Sequence, residues 1–192
     1  MNTADQIKQS IAAHLDSLSG MADHAATIAS IVKTVRAALS AGHKVLTCGN
    51  GGSAAEALHL SEEMIGRFSR DREPFAALCL SADPTAITCI SNDFGYEQVF
   101  ARQVRGLGRK GDVLVALTTS GKSENIVRAL ESARAMGLTT IGLLGKPGSP
   151  AEVHCDIAFT PTASSNAHVQ EMHLMAIHLI LEQLDPGSPA NC

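Results

Sequence analysis

Two short stretches concentrate small polar residues where an apolar run gives way to a helical pattern. Gly49-Asn50-Gly51-Gly52-Ser53 follows Lys44 to Cys48, and Thr118-Thr119-Ser120-Gly121-Lys122-Ser123 follows Asp112 to Leu117. Such turns bring together hydroxyls, backbone N–H groups and the positive end of a helix dipole, which suits an anion such as phosphate. Just beyond the first turn, His59 and Glu63 stand four residues apart and share one helix face. An imidazole and a carboxylate at that spacing can share a metal ion or act as an acid and base pair. Near the C-terminus, Val169, Met172, Leu174, Met175, Ile177, Leu179, Ile180 and Leu181 make a helix apolar nearly all round, which predicts a buried one. Gln170, Glu171, His173 and His178 interrupt it, and buried polar groups must find partners. Gln170 and His178 lie about 12 Å apart along a helix axis. They meet at one ion only at the limit of their reach, or come to it from different subunits.

Two familiar nucleotide motifs fit less well. Gly49, Gly51 and Ala54 satisfy GxGxxA, but the following strand ends in Leu80-Ser81-Ala82 and lacks the acidic residue that would hold a ribose. Ala116 to Ser123 (ALTTSGKS) matches a relaxed phosphate-loop pattern. Between Ala116 and Gly121 there is no glycine, so the backbone cannot easily wrap successive N–H groups around phosphates.

The elements that must hold these residues alternate. Helical spacing joins Ile7, Ile11, Leu15 and Leu18, and a second helix is predicted from Asp23 to Ala41 with Gly42 as its stop. Strands are predicted at Lys44 to Cys48, Phe75 to Leu80, Asp112 to Leu117, Thr139 to Leu144 and Asp156 to Thr160. Helices are predicted from Ser53 to Ile65, from Asp83-Pro84, from Tyr96 to Val104, from Ser123 to Met136 and from Ser165 to Leu184. Ser53 with Glu56 reads as a capping box, Asp83-Pro84 as a cap followed by proline at the first helical position, and 66–74 as an exposed loop. Strands that alternate with helices predict a five-stranded parallel sheet with helices on both faces, an α/β domain that binds ligands beyond the carboxyl ends of its strands.

Composition narrows the function. A net charge of -4 lacks the basic excess of nucleic-acid binders, and 3% aromatic residues leave little for base stacking. The N-terminus has neither the basic start nor the apolar run of a signal peptide. Cys48, Cys79, Cys89, Cys155 and Cys192 form no CxxC pair, so reduced thiols in a cytoplasmic protein are expected, with neither nucleic acid nor membrane as partner.

Taken together, these residues resemble the phosphoheptose isomerases (sedoheptulose 7-phosphate isomerases) of the sugar isomerase (SIS) domain superfamily. The likeness runs over nearly the whole chain and rests on CGNGGSAAEALHLSEEMIGRF, SNDFGYEQVFARQV, LTTSGKSENIV and VQEMHLMAIHLI. It implies a flavodoxin-like SIS domain over 1–192, with helices in 1–41 serving oligomerisation, 186–192 a flexible tail, and a homotetramer with sites between subunits. The implied activity is aldose–ketose conversion of sedoheptulose 7-phosphate to D-glycero-D-manno-heptose 7-phosphate through an enediol, for lipopolysaccharide heptose.

By position, the resemblance implies that Asn50, Gly51, Gly52, Ser53, Asn92 and Asp93 meet substrate and that Thr118, Thr119, Ser120 and Ser123 hold its phosphate. It implies one Zn2+ per subunit on His59, Glu63, Gln170 and His178, with Glu63 and Gln170 also near substrate. Glu63 would be the general base and His178 the acid. Two positions depart from the pattern: Thr118 stands where Ser is frequent, and Ala167 where some members carry an acid. The alternatives are a non-catalytic SIS regulator that binds a replication initiator, and an isomerase of another phosphosugar. A regulator would have no need of His178, Glu63 and an intact Asn50–Ser53 turn together.

Overall fold

A computed structural model describes residues 2–163 and 165–185; the tail expected at 186–192 lies outside the described residues. In chain order the elements are α1 (Thr3–Ser19), α2 (Ala25–Ser40), β1 (Val45–Gly49), α3 (Gly52–Ile65), β2 (Ala77–Cys79), α4 (Pro84–Phe94), α5 (Val99–Leu107), β3 (Val113–Thr118), α6 (Glu124–Ala135), β4 (Thr139–Leu144), β5 (Ile157–Phe159) and α7 (Asn166–Leu184). The five strands form one parallel sheet in the order β2-β1-β3-β4-β5, the doubly wound arrangement of flavodoxin-like folds.

Alternation along β3 shows why both faces are covered. Val113, Val115 and Leu117 belong to a core shared with α2, α3 and α7, whereas Leu114 and Ala116 join a second core with α5 and α6. A strand buried on both sides must be apolar at every position, as Val113–Leu117 is. The register sets Gly49 of β1 opposite Leu117 of β3, so the two polar turns that follow these strands emerge side by side.

Several sequence expectations need correction. The capping box at Ser53 and Glu56 does not form. Gly51 is the N-cap instead, at φ +55° and ψ -122°, a conformation open in practice only to glycine. Ser53 is then buried in the first turn, and Glu56 faces α7. The helix expected from Tyr96 to Val104 is a 3-10 turn, Tyr96–Gln98, followed by α5. Within the loop expected to be exposed at 66–74, Arg72 is largely covered. α7 is not buried all round either, because Leu174 and Met175 stay exposed on the side away from the sheet. Asp83 does cap α4, accepting from the N–H groups of Thr85 and Ala86, with Pro84 first in the helix.

The far ends of α3 and α7 are tied by one ion pair. Arg72 donates through Nε to Asp185 and through its other nitrogens to the carbonyl oxygens of Glu63 and Met64. Burial opposes the Asp185 charge, but the N–H groups of Ser69 and Arg70 and the Arg72 guanidinium hold its carboxyl below the usual range. Asp185→Ala would strand the Arg72 charge, and losing one partner of a buried pair costs about 3 kcal/mol or more. Because the carboxyl titrates low when folded, this contribution is present above its unfolded value and lost as the pH falls. Thermal melts should therefore show the variant well below the wild type at pH 7, with the gap closing below about pH 4.

Candidate active site

The first turn is fixed from both sides. Ser81 donates its hydroxyl to the Gly49 carbonyl at 2.9 Å and accepts the Gly49 N–H at 3.2 Å. The Asn50 amide pairs reciprocally with that of Asn125, each donating to the other at 2.9 and 2.8 Å, and the Tyr96 hydroxyl donates to the Asn50 oxygen at 2.8 Å. Asn125 lies in the first turn of α6, so this amide pair clamps the start of α3 against the start of α6. Neither Asn125 nor Tyr96 was singled out from sequence. The available signal was an Asn inside the first polar turn and another just behind the second, at the ends of neighbouring strands.

Around the second turn the hydroxyls accept from the loop's own backbone. Thr118 Oγ1 takes the Gly121 N–H, and Ser120 Oγ takes the Lys122 N–H, each at 3.2 Å. The two hydroxyls also lie 3.4 Å apart, so one donates to the other and the second keeps its proton for an anion. Ser123 is the N-cap of α6, but its side chain makes no capping bond, and Gly51 has none to offer α3. Two helix N-termini with uncapped N–H groups thus stand together, which is the backbone chemistry that binds phosphate. Thr119 and Ser123 are half-buried around them.

The chemical groups gather where α3 and α7 pack. His59 Nε2 is 3.1 Å from His178 Nε2 and 3.9 Å from Glu63 Oε1. On its other side, His59 Nδ1 lies 3.5 Å from the exposed Glu62 carboxylate, which orients the ring. The Phe68 ring lies against that of His178 at 5.6 Å. Burial, with the His59 ring beside it, pushes the His178 pKa down, and Glu63 pulls the other way. Two imidazole nitrogens on one tetrahedral zinc, each about 2.0–2.1 Å from the metal, would be roughly 3.4 Å apart, so the His59 and His178 spacing fits such an ion. The Glu63 oxygen approaches the same His59 nitrogen, and among the described residues the ligand atoms that lie within 4.8 Å of one another are those of His59, Glu62 and Glu63, with His178 reaching His59 alone.

Gln170 sits at the other end of this crossing. A Cβ added to Gly52 would come within 2.1 Å of its Nε2, so Gln170 packs on the start of α3, about 10 Å along that helix from His59. The structure therefore joins His59, Glu63 and His178, and sets Gln170 with the first polar turn. Asn92 and Asp93 occupy the exposed last turn of α4, where Asn92 donates to Asp93 at 2.7 Å. From that region it is Tyr96 that reaches the first turn. Ala167 is exposed in the first turn of α7.

Comparison with known proteins gives the family and the fold. Residues 9–145 match the family model described as SIS domain. A phosphoheptose isomerase of Nitratiruptor sp. is 49% identical over 142 residues, covering 74% of this chain and 76% of its own length. One from Akkermansia muciniphila is 38% identical over 182 residues, covering 95% and 96%. The structure of a phosphoheptose isomerase from Francisella tularensis superposes with a TM-score of 0.93 at 32% identity, over 96% of this chain and 99% of that one.

The Asn50–Asn125 pair has a direct test. Asn125→Leu removes both reciprocal hydrogen bonds, each worth about 1 kcal/mol, and frees the two helix starts to separate. Calorimetric titration with inorganic phosphate should show binding weakened about tenfold or more, whereas Tyr96→Phe should lose less.

Proposed function

The chain belongs to the SIS domain family and, within it, to the phosphoheptose isomerases; from that premise we propose that it converts sedoheptulose 7-phosphate to D-glycero-D-manno-heptose 7-phosphate. The observation that carries the reading is the convergence of His59 and Glu63 from α3 with His178 from α7. A heptose 7-phosphate has its phosphate at one end and its reacting carbons at the other, and the protein's polar turns and its acid–base groups are likewise separated along α3. A regulator that binds only through its surface has no use for that convergence.

Aldose–ketose exchange moves a proton between neighbouring carbons through an enediol. Glu63 accepts the proton from carbon and returns it to the adjacent one. His178 moves the proton on and off oxygen, and its lowered pKa leaves it a neutral imidazole that can donate N–H at pH 7. Thr118, Thr119, Ser120 and Ser123, with the first turns of α3 and α6, hold the phosphate and keep the sugar in register, using binding energy remote from the reacting carbons. Asn50, Gly51, Gly52 and Ser53 line the same end, with Gln170 beside Gly52 and with Asn92 and Asp93 near substrate.

Zn2+ belongs to the proposal as well, held by His59, Glu63 and His178 with Gln170 as the fourth donor the resemblance implies. When bound it would polarise the sugar carbonyl as a Lewis acid. The enzyme is further proposed to act as a homotetramer in the cytoplasm, supplying heptose for lipopolysaccharide. The apolar stripe Ile7, Ile11 and Leu15 of α1 is exposed, and a groove of about 690 Å³ lined by Leu18, Met21, Ile28, Val32, Met175 and Leu179 lies open between α2 and α7; both support assembly.

Purified protein should turn over sedoheptulose 7-phosphate in preference to ribulose, fructose and amino-sugar phosphates. Glu63→Gln should lower kcat about 100-fold or more, within the usual range for general acid–base catalysis, with the fold intact; activity within a few-fold of wild type would remove Glu63 from the chemistry. Thorough chelation should reduce the rate, and added zinc should restore it.

A further inference from the structure

One buried polar pair at the α3–α7 crossing has no part in the mechanism above. Glu56 lies three residues before His59 on α3, and His173 lies three after Gln170 on α7. Glu56 Oε2 and His173 Nδ1 face each other at 3.9 Å, and each of these two atoms is buried with no hydrogen-bond partner among the described residues. The Glu56 side chain is 11% exposed and that of His173 is fully enclosed. The other ring nitrogen of His173, Nε2, lies 3.2 Å from the carbonyl oxygen of Leu144, the last residue of β4. A carbonyl only accepts, so Nε2 carries the proton and a neutral ring presents a bare lone pair at Nδ1. An ionised carboxylate facing that lone pair would leave both groups unsatisfied. A protonated one would satisfy both with a single hydrogen bond, after a side-chain rotation that closes the gap to about 2.8 Å.

We propose that Glu56 and His173 are a neutral, proton-sharing couple that fixes α7 against α3 and the end of β4, and so positions Gln170 and His178 for the isomerisation proposed above. Other groups at this crossing include His59 and Glu63 from α3, Gln170 and His178 from α7, and the Phe159 ring, 6.1 Å from that of His173 with His24 on another side of it. Burial pushes Glu56 up to about 8 and His173 down to about 4, although the Leu144 bond resists the latter, so both are neutral at pH 7.

Because the folded pKa of Glu56 is raised, the stability it supports is present at low pH and lost as the pH rises from 4.5 to about 8. In histidine ¹⁵N spectra of the intact wild-type protein, His173 should appear as the Nε2–H tautomer, uncharged from pH 5.5 to 7.5; an imidazolium signal at pH 7 would overturn the couple. Glu56→Gln keeps a donor toward Nδ1 and should leave kcat within about threefold of wild type. Its melting temperature should rise relative to wild type between pH 5 and 8. A Glu56→Gln melting temperature that keeps a constant offset from wild type over that range would mean that the pair holds no proton and would sink the proposal, while the spectra separate a neutral couple from an ion pair, which binds the same single proton. Glu56→Leu, if folded by circular dichroism, should lose kcat tenfold or more with little change in KM, and unchanged kcat would remove the positioning role. The spectra and melts use no substrate, so they judge the couple even if sedoheptulose 7-phosphate proves not to be turned over.

Discussion

The site depends on how α7 lies across α3. Met172, Ala176, Ile177, Ile180 and Leu181 of α7 pack in one core with Ala57, Leu60 and Met64 of α3. Fully burying an aliphatic side chain contributes about 1.5–3 kcal/mol, whereas a typical hydrogen bond nets about 1 kcal/mol. The apolar seam therefore sets the crossing, and the polar side chains follow the spacing it imposes. Gln170, His173 and His178 meet Gly52, Glu56 and His59 in the same order along both helices. The Arg72–Asp185 pair closes the far end. A change in the apolar seam would shift all three polar meetings together.

The fold was legible because it rests on local signals. Apolar runs of five or six residues between polar turns are too short for a buried helix and read as strands buried on both faces, and Val113–Thr118 and Thr139–Leu144 are such strands. Helix stops at Gly42 and Gly137 are marked by positive φ. The misreading at Ser53 has an equally local cause. Ser followed three residues later by Glu matches a capping box, but the Asn-Gly-Gly before it allows the helix to begin earlier, and burial then gives Ser53 and Glu56 other surroundings. Tyr96–Val104 divides because Gly95, at φ +89°, sets the chain into a 3-10 turn first.

The candidate site was legible only where its residues share one element or one turn. His59 and Glu63 are paired by helical spacing, and the two polar turns by composition. What sequence could not supply is who faces whom across the fold. Asn50 meets Asn125 across 75 residues, and Glu56 meets His173 from another helix. A short window reads Glu56 as a cap partner and Asn125 as a residue behind a polar turn, and neither reading names the partner across the fold. Gln170 and His178 show the reverse case: they were grouped by the resemblance, yet eight residues of rigid helix hold them at opposite ends of the crossing.

That separation bears on how the proposed chemistry is shielded. Proton transfer between carbons is favoured where water is excluded, since charges interact more strongly in a low-dielectric site. In a single chain the His59 side chain is one-third exposed, and Leu58 and Ile65 lie exposed on the same helix. An apolar side chain left in water beside an imidazole and a carboxylate is poor use of a helix face in a monomer. A second copy covering this face would bury Leu58 and Ile65 and dry the cluster in one step. It could also bring a Gln170 from another chain toward the His59 group, which one helix cannot do for its own His178. The proposed assembly and the proposed zinc set thus make one structural demand, for a subunit boundary that runs through the cluster.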